Sequence, residues 1–378
     1  MLTPAEALIT LNLIPGLGSI RIQSLLEFFG TAELVLNASP HLLEKVPRIG
    51  SGLAAAIADW QNCTNVRAEQ ESAAQYGVRI ITLLDDAYPA ILRRMTDPPI
   101  VLYVKGGWDA DDFSRSVAIV GTRYASAYGR GITRRMAREL AEAGCTIISG
   151  MARGIDTEAH TGALEAGGRT IAVMGRGLAD IYPTENRELA DKICAGHGAL
   201  VSEFPMHMRP AQNTFLQRNR IVAAWSRALL VTEAPQRSGS LHTAGLAADN
   251  YGNSVFAVPG NVSQISSAGC HELIRDGAIL CTSSQELLAD MGWSSIPHQL
   301  PLFDTPAPQP RKKRLEEPLI PTDEDTRNLI AAIRAGHDTL DALCSALGQN
   351  AAHLNPLLMR LQIQGIITPR PGGRYHAG

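Results

Sequence analysis

Five short blocks of glycine, serine and arginine in this chain have the composition that anion chemistry needs. The first is Gly121-Thr122-Arg123-Tyr124-Ala125-Ser126-Ala127-Tyr128-Gly129, set between an apolar strand-like run and a helical one. A strand that ends in a glycine turn and runs into a helix leaves backbone N–H groups and the helix dipole facing one point. Gly121 lets a ligand approach the backbone, Arg123 can fork two oxygens of one phosphate, and Ser126 can cap the helix or donate. The spacing is not G-x-G-x-x-G, so it carries no dinucleotide fingerprint. From Gly121 to Arg138 there are five arginines and no acid. An ordinary turn followed by a solvated helix face would account for the outer ones, Arg134 and Arg138. The second block, Ser149-Gly150-Met151-Ala152-Arg153-Gly154-Ile155-Asp156, offers another cradle through Ser149, Gly150 and Gly154. Asp156 stands where a helix cap belongs. His160, one turn on, suits either a hydrogen-bonded core position or a base.

The third block places Gly175, Arg176 and Gly177 at a strand end, with Tyr182-Pro183 after it. Tyr182 could stack on a base or pack against the sheet. The fourth is Phe215-Leu216-Gln217-Arg218-Asn219-Arg220-Ile221. Arg218 and Arg220 cannot share a helix face. Both reach a groove if the helix begins there; otherwise Arg220 pairs internally with a carboxylate. The fifth, Ser238-Gly239-Ser240-Leu241-His242-Thr243-Ala244, is a Ser-Gly-Ser turn opening a helix. The fifth block has no acid until Asp249, and no paired carboxylates and no nucleophile–base pair appear near the other turns, so no catalytic residue is assigned. The six cysteines are scattered without metal-ligand spacing, and neither a metal nor a cofactor is expected.

These blocks must be positioned by something, and the flanking runs say what. Apolar strands are expected at Val78–Leu84, Ile100–Val104, Val117–Val120, Thr146–Ser149, Thr170–Met174, Leu200–Glu203, Ala228–Thr232, Ser254–Val258 and Ala278–Cys281, with helical patterns between most of them. Continuous apolar strands alternating with helices predict an α/β fold, an extended Rossmann-like and mainly parallel sheet over residues 76–290. All five turns then fall at the C-terminal strand ends, the edge where open α/β sheets take ligands. Residues 1–75 read as short helices with two related turns, Ile14-Pro15-Gly16-Leu17-Gly18 and Val46-Pro47-Arg48-Ile49-Gly50. They resemble a small SAM or helix-hairpin-helix-like domain. Residues 291–321 are a Pro-rich linker carrying Arg311-Lys312-Lys313-Arg314. Residues 322–378 read as three helices and a strand pair around Pro371-Gly372-Gly373, the content of a winged helix.

The totals set bounds. The chain has 378 residues and a formal net charge of −3, so any basic site is local rather than global. The thiols suit a reducing compartment, and the N-terminus lacks the basic start of a secretory signal. No apolar run reaches membrane-spanning length. A cytoplasmic protein without a membrane partner is expected.

Read in order, the blocks resemble the DNA-processing protein A family (DprA, also called Smf). That family runs from a G-x-R-x-x-S-x-Y-G turn through S-G-x-A-x-G-I-D, T-I-A-V-x-G-x-G and F-P-x-R-N-R-I to S-G-S-L-x-T-A and F-A-V-P-G. Matching residues stand at Gly121–Gly129, Ser149–Asp156, Thr170–Pro183, Phe215–Ile221, Ser238–Ala244 and Phe256–Gly260. The resemblance spans roughly residues 88–288. Leu216 replaces the usual proline, Met206-His207-Met208 replaces a Gly- and Pro-containing loop, and Thr184 stands where some members have lysine. The resemblance implies single-stranded DNA as ligand, loading of the RecA recombinase during natural transformation, and a homodimer, with no enzymatic step. The alternatives are a hydrolase of the related phosphoribohydrolase group, which would need a glutamate close after the fifth turn, and a free-nucleotide sensor. Arg123, Arg218 and Arg220 spread over several turns favour a polymer backbone over one nucleotide.

Overall fold

The computed structural model describes residues 2–293, 324–363, 366–370 and 374–377. The basic run Arg311–Arg314, nearly all of the Pro-rich segment and the Pro371-Gly372-Gly373 turn lie outside them. By its internal contacts the chain divides into two compact units, Met1–Gln299 and Leu300–Gly378.

The first unit is built on nine strands: β1 (Val78–Thr82), β2 (Val101–Gly106), β3 (Ser116–Val120), β4 (Thr146–Ser149), β5 (Thr170–Val173), β6 (Gly198–Ser202), β7 (Ala228–Val231), β8 (Ser254–Ala257) and β9 (Ile279–Leu280). They lie in the order β1-β2-β6-β5-β4-β3-β7-β8-β9. Strands β3 to β9 pair in parallel, while β2 is antiparallel to both β6 and β1. The order runs outward from β3 in both directions, so the topological switch point lies between β3 and β7. Crossover connections leave those two strands on opposite sides, and a crevice opens above their C-terminal ends.

Each predicted strand is present, and several are shorter. The first stops at Thr82 because the Asp85 carboxylate accepts from the Thr82 N–H (2.6 Å) and hydroxyl (2.7 Å), bending the chain into a turn. Side chains alternate strictly. Val117 and Ile119 enter the core under the helices Ala127–Glu142 and Ile155–Glu165, whereas Ala118 and Val120 enter the core beneath the helix Gln212–Trp225. Both faces are thus apolar, as continuous strand runs require.

The N-terminal helices share a core with the sheet. Leu8, Leu11, Ile22, Leu25 and Ile57 form one buried cluster with Val101, Tyr103, Ala172, Leu200 and Met206. They cover a face of β2, β5 and β6 together with Ala190 and Ile193 from the connection between β5 and β6. Buried Glu69 accepts from the Met206 N–H at 2.7 Å, and Asn12 donates to the Glu203 carbonyl at 3.2 Å. The two expected turns have twin geometry: Gly18 (φ −86°, ψ 171°) starts the helix Ser19–Phe29 and Gly50 (φ −87°, ψ 171°) starts Ser51–Ala58.

The second unit contains the helices Glu324–Arg334, Leu340–Leu347 and Ala351–Ile363 and the antiparallel strands β10 (Ile367–Arg370) and β11 (Arg374–Ala377). It has its own core of Leu329, Ile333, Leu343, Leu354, Leu358 and Leu361.

Candidate functional site

A cleft of about 670 Å³ opens at the switch point. The turn after β3 supplies Gly121, Arg123 and Tyr124. The turn after β4 supplies Ala152 and Asp156. Phe215, Arg218 and Asn219 come from the helix Gln212–Trp225, and Ser238, Gly239 and Ser240 from the turn after β7. Four of the five blocks therefore converge here. The third lines an adjoining recess through Gly175 and Arg176, which shares Arg123, Tyr182 and Phe215 with the cleft.

Arg123 is the cleft's exposed cation. Its guanidinium lies over the Phe215 ring at 4.9 Å, and among the described residues no carboxylate pairs with it. Tyr182 packs on the other flank of Phe215, with ring centroids 6.2 Å apart. Tyr124 projects almost wholly into solvent at 92% exposure. A planar cation, two packed rings and a free phenol make a surface for anions and flat rings alike. In the sequence Tyr124 follows Arg123 directly and Phe215 stands three residues before Arg218, but the wall they share joins two segments about ninety residues apart and is not legible there.

Beneath this surface lies a buried polar cluster. Arg218 donates through Nη1 to the Gly150 carbonyl (2.6 Å) and to that of Val173, while its Nε has no partner among the described residues. Burial pushes the Arg218 pKa down to about 10; Asp156 resists that shift and Arg123 adds to it. Arg218 stays cationic at neutral pH. Burial raises the Asp156 pKa against the pull of Arg218 and of the Ala152 N–H. His160 is fully buried with Nδ1 2.6 Å from the Thr170 hydroxyl. Burial first, and Arg218 second, push its pKa down to about 3. It is a neutral core histidine.

Several expected residues sit elsewhere or serve the fold. Arg220 is a correction: it faces away from the cleft and is buried, held by Glu203 (2.7 Å), Asp97 (2.7 Å) and the Ser19 hydroxyl (3.1 Å). Two residues along a helix from Arg218, it points to a different side. The helix start at Ser126 is a second correction. The Ser126 hydroxyl accepts from the Gly129 N–H (3.0 Å), and the buried Glu233 carboxylate accepts from the Ser126 N–H (2.8 Å). An internal carboxylate thus occupies the place the turn suggested for a phosphate. A Cβ on Gly129 would fall on that carboxylate.

The other glycines make room for protein. A Cβ on Gly150 would meet the Arg218 guanidinium, on Gly175 the Phe215 ring, and on Gly177 the carbonyls of Pro205 and Met206. Gly154, at φ +76°, packs against the Thr122 and Arg123 carbonyls. The Ser149 hydroxyl donates to the Ile119 carbonyl at 2.6 Å, tying β4 to β3. Arg176 is mostly buried and lies 3.5 Å from Asp180. Arg134 pairs with Glu158 and Glu165, and Arg138 with Glu142, as solvated helix faces do. Asn219 approaches the Gly239 carbonyl at 3.5 Å, and the Ser238 and Ser240 hydroxyls are 2.8 Å apart at the cleft rim.

Together these features define a doubly wound α/β protein whose switch-point cleft presents cations beside aromatic rings. The chain belongs to the DNA recombination-mediator protein A family, whose model matches residues 79–292. It is similar to Protein Smf of Synechocystis, at 33% identity covering 96% of both chains. It is also similar to Protein Smf of Escherichia coli, at 38% identity covering 76% of this chain and 74% of that one. The X-ray structure of DprA from Streptococcus pneumoniae superposes with a TM-score of 0.67 at 33% identity, covering 77% of this chain and 99% of that one. A DprA structure from Helicobacter pylori, reported for its mode of binding single-stranded DNA, gives a TM-score of 0.50 at 32% identity, covering 57% of this chain and 95% of that one.

Proposed function

We propose that the switch-point cleft binds single-stranded DNA and that the chain acts as a non-catalytic recombination mediator that loads RecA onto that strand, in the cytoplasm, during uptake or transformation. The observation that carries this reading is Arg123. It is an exposed cation with no carboxylate partner among the described residues, stacked on Phe215 beside Tyr182, with Arg218 beneath. A phosphate can take the guanidinium while a neighbouring base takes a ring face. Double-stranded DNA keeps its bases stacked inside and cannot use both at once. The single-stranded DNA bound by the Helicobacter pylori relative supports the same ligand here.

A hydrolytic reading has less support. Asp156 is the one carboxylate among the described residues lining the cleft, and it is buried beside Arg218. We read residues 1–75, 76–290 and 322–378 as the three modules of the mediator, with the last a winged helix suited to protein contact. RecA and a second copy of this chain are the proposed partners.

The test is fluorescence polarisation with a labelled oligothymidylate across a salt series. Affinity should fall steeply with salt as counterions are released. A flat salt response, or equal preference for duplex, overturns the reading. For the mediator role, RecA filament formation is followed on single strands coated with single-strand-binding protein. The protein should shorten the lag, and an unchanged lag removes that part of the proposal.

A further inference from the structure

We propose that the cleft is one end of a longer groove, and that Arg48 and Arg21 of the N-terminal turns hold phosphates of the same strand beyond it. This rests on the reading that the cleft binds single-stranded DNA, and it assigns the N-terminal helices a share of that site.

Three depressions adjoin one another. The Arg123 cleft has Leu216 and Thr243 in its wall. A second depression of about 350 Å³ begins at Leu216 and His242 and reaches Ile20 and Asp97 over Gln217 and Arg220. A third, of about 410 Å³, shares Ile20, Asp97, Gln217 and Arg220 with it and ends at Gly18, Arg21 and Arg48. Arg220, already matched to Glu203 and Asp97, forms a charge-balanced floor. Leu216, 45% exposed, offers an apolar step between the first two depressions.

The charges at the far end are unspent. Arg21 donates to two backbone carbonyls, those of Gly16 (2.8 Å) and Arg48 (3.2 Å). Among the described residues neither Arg21 nor Arg48 has a carboxylate partner. Residues 1–60 contain three lysine or arginine side chains, Arg21, Lys45 and Arg48, and two of them line this one depression. Arg48 also stands where its twin turn has glycine: Gly16 has φ +80° and Arg48 has φ +68°. Glycine holds that conformation freely and arginine does not. Placing arginine there sets a cation at the mouth of the groove at a conformational cost, which a ligand contact would explain and packing does not.

The substitution Arg48→Gly gives a clean test, because it suits the backbone it leaves behind. Affinities of wild type, Arg48→Gly and Arg48→Lys are measured by fluorescence polarisation on oligothymidylates of increasing length, with thermal unfolding as a control. Wild-type affinity should keep rising beyond the length at which Arg123-dependent binding is complete. For the long oligomers Arg48→Gly should weaken binding about three- to tenfold and lower the salt slope by roughly one, as loss of one phosphate contact does. Short oligomers should bind it as they bind wild type, and Arg48→Lys should recover most of the loss. A stable Arg48→Gly protein that binds long oligomers normally, or that loses affinity equally at every length, overturns the proposal while leaving the cleft itself intact. Absence of any Arg123-dependent binding in wild type would remove both.

Discussion

Arg123 and Arg218 lie in one cleft but do different work. Arg123 is exposed and among the described residues its side chain bonds to no backbone group, so Arg123→Ala should weaken single-strand binding about tenfold across sequences, since phosphates carry no base information. Its unfolding midpoint in urea should stay at the wild-type value. Arg218 is buried with two carbonyls as acceptors. Truncating it leaves those carbonyls unsatisfied, and Arg218→Ala should cost roughly 2–4 kcal/mol of stability by equilibrium urea unfolding, whatever it does to binding. His160 supplies a pH signature. Its pKa falls from 6.5 to about 3 on folding, so below pH 6.5 the unfolded chain binds a proton that the folded chain refuses. The stability from a neutral His160 is present above pH 6.5 and is lost progressively as pH falls towards 3. Asp156, whose pKa is raised, acts in the opposite sense. His160→Gln should flatten the acid limb of a stability-versus-pH curve. A curve unchanged in shape would mean that other groups dominate it.

Among the elements, the junction of β3 and β7 holds the fold and the site together. Glu233, at the end of β7, satisfies the start of the helix that follows β3. Glycine to alanine inside an exposed helix ordinarily stabilises by about 1 kcal/mol. At Gly129 the sign should reverse, because the added Cβ would strike the Glu233 carboxylate. Gly129→Ala should lower stability by about 1–3 kcal/mol in urea unfolding, and Glu233→Gln, which keeps an acceptor for the Ser126 N–H, should cost far less than Glu233→Ala. The glycine- and serine-rich blocks announced these turns correctly in the sequence. Their purpose was only partly readable, since a glycine that admits a phosphate and one that admits a neighbouring helix look alike until the neighbour is placed. Gly150 and Gly175 are of the second kind, making way for Arg218 and Phe215.

For the molecule as a whole, the N-terminal helices behave as part of the sheet's covering. Removing residues 2–75 would bare Tyr103, Ala172, Leu200 and Met206; about 25 cal/mol is lost per Å² of apolar surface exposed. The truncated chain should unfold at a markedly lower temperature by differential scanning calorimetry. Ending the chain after Trp293 should leave the unfolding of the first unit unchanged, because the second unit has its own core. The proposed second copy has a candidate surface at the β9 edge. Ile279 and Leu280 are 38% and 51% exposed there, and Val262 and Ile265 are 90% and 82% exposed elsewhere in the same unit. An unpaired apolar edge invites association, and Ile279→Glu with Leu280→Glu should shift the mass seen by light scattering towards that of one chain. A mass unchanged from wild type would place the interface elsewhere.

Local pattern determined what depends on near neighbours. Apolar runs of strand length set the strands, glycine turns set their ends, and helical periodicity set the crossovers, so the parallel sheet and the edge at which its cleft opens were legible. The twin N-terminal turns were legible too, because Ile-Pro-Gly-Leu-Gly and Val-Pro-Arg-Ile-Gly repeat one pattern. Tertiary structure alone decided which charges are free. Arg218 and Arg220 are two residues apart and look equivalent in sequence, yet one lines the cleft while Glu203 and Asp97 neutralise the other. Arg123 remains exposed, whereas Glu233, more than a hundred residues away, fills the helix start beside it. Pairing of charges is set by distances across the fold, and the order of residues along the chain does not fix those distances.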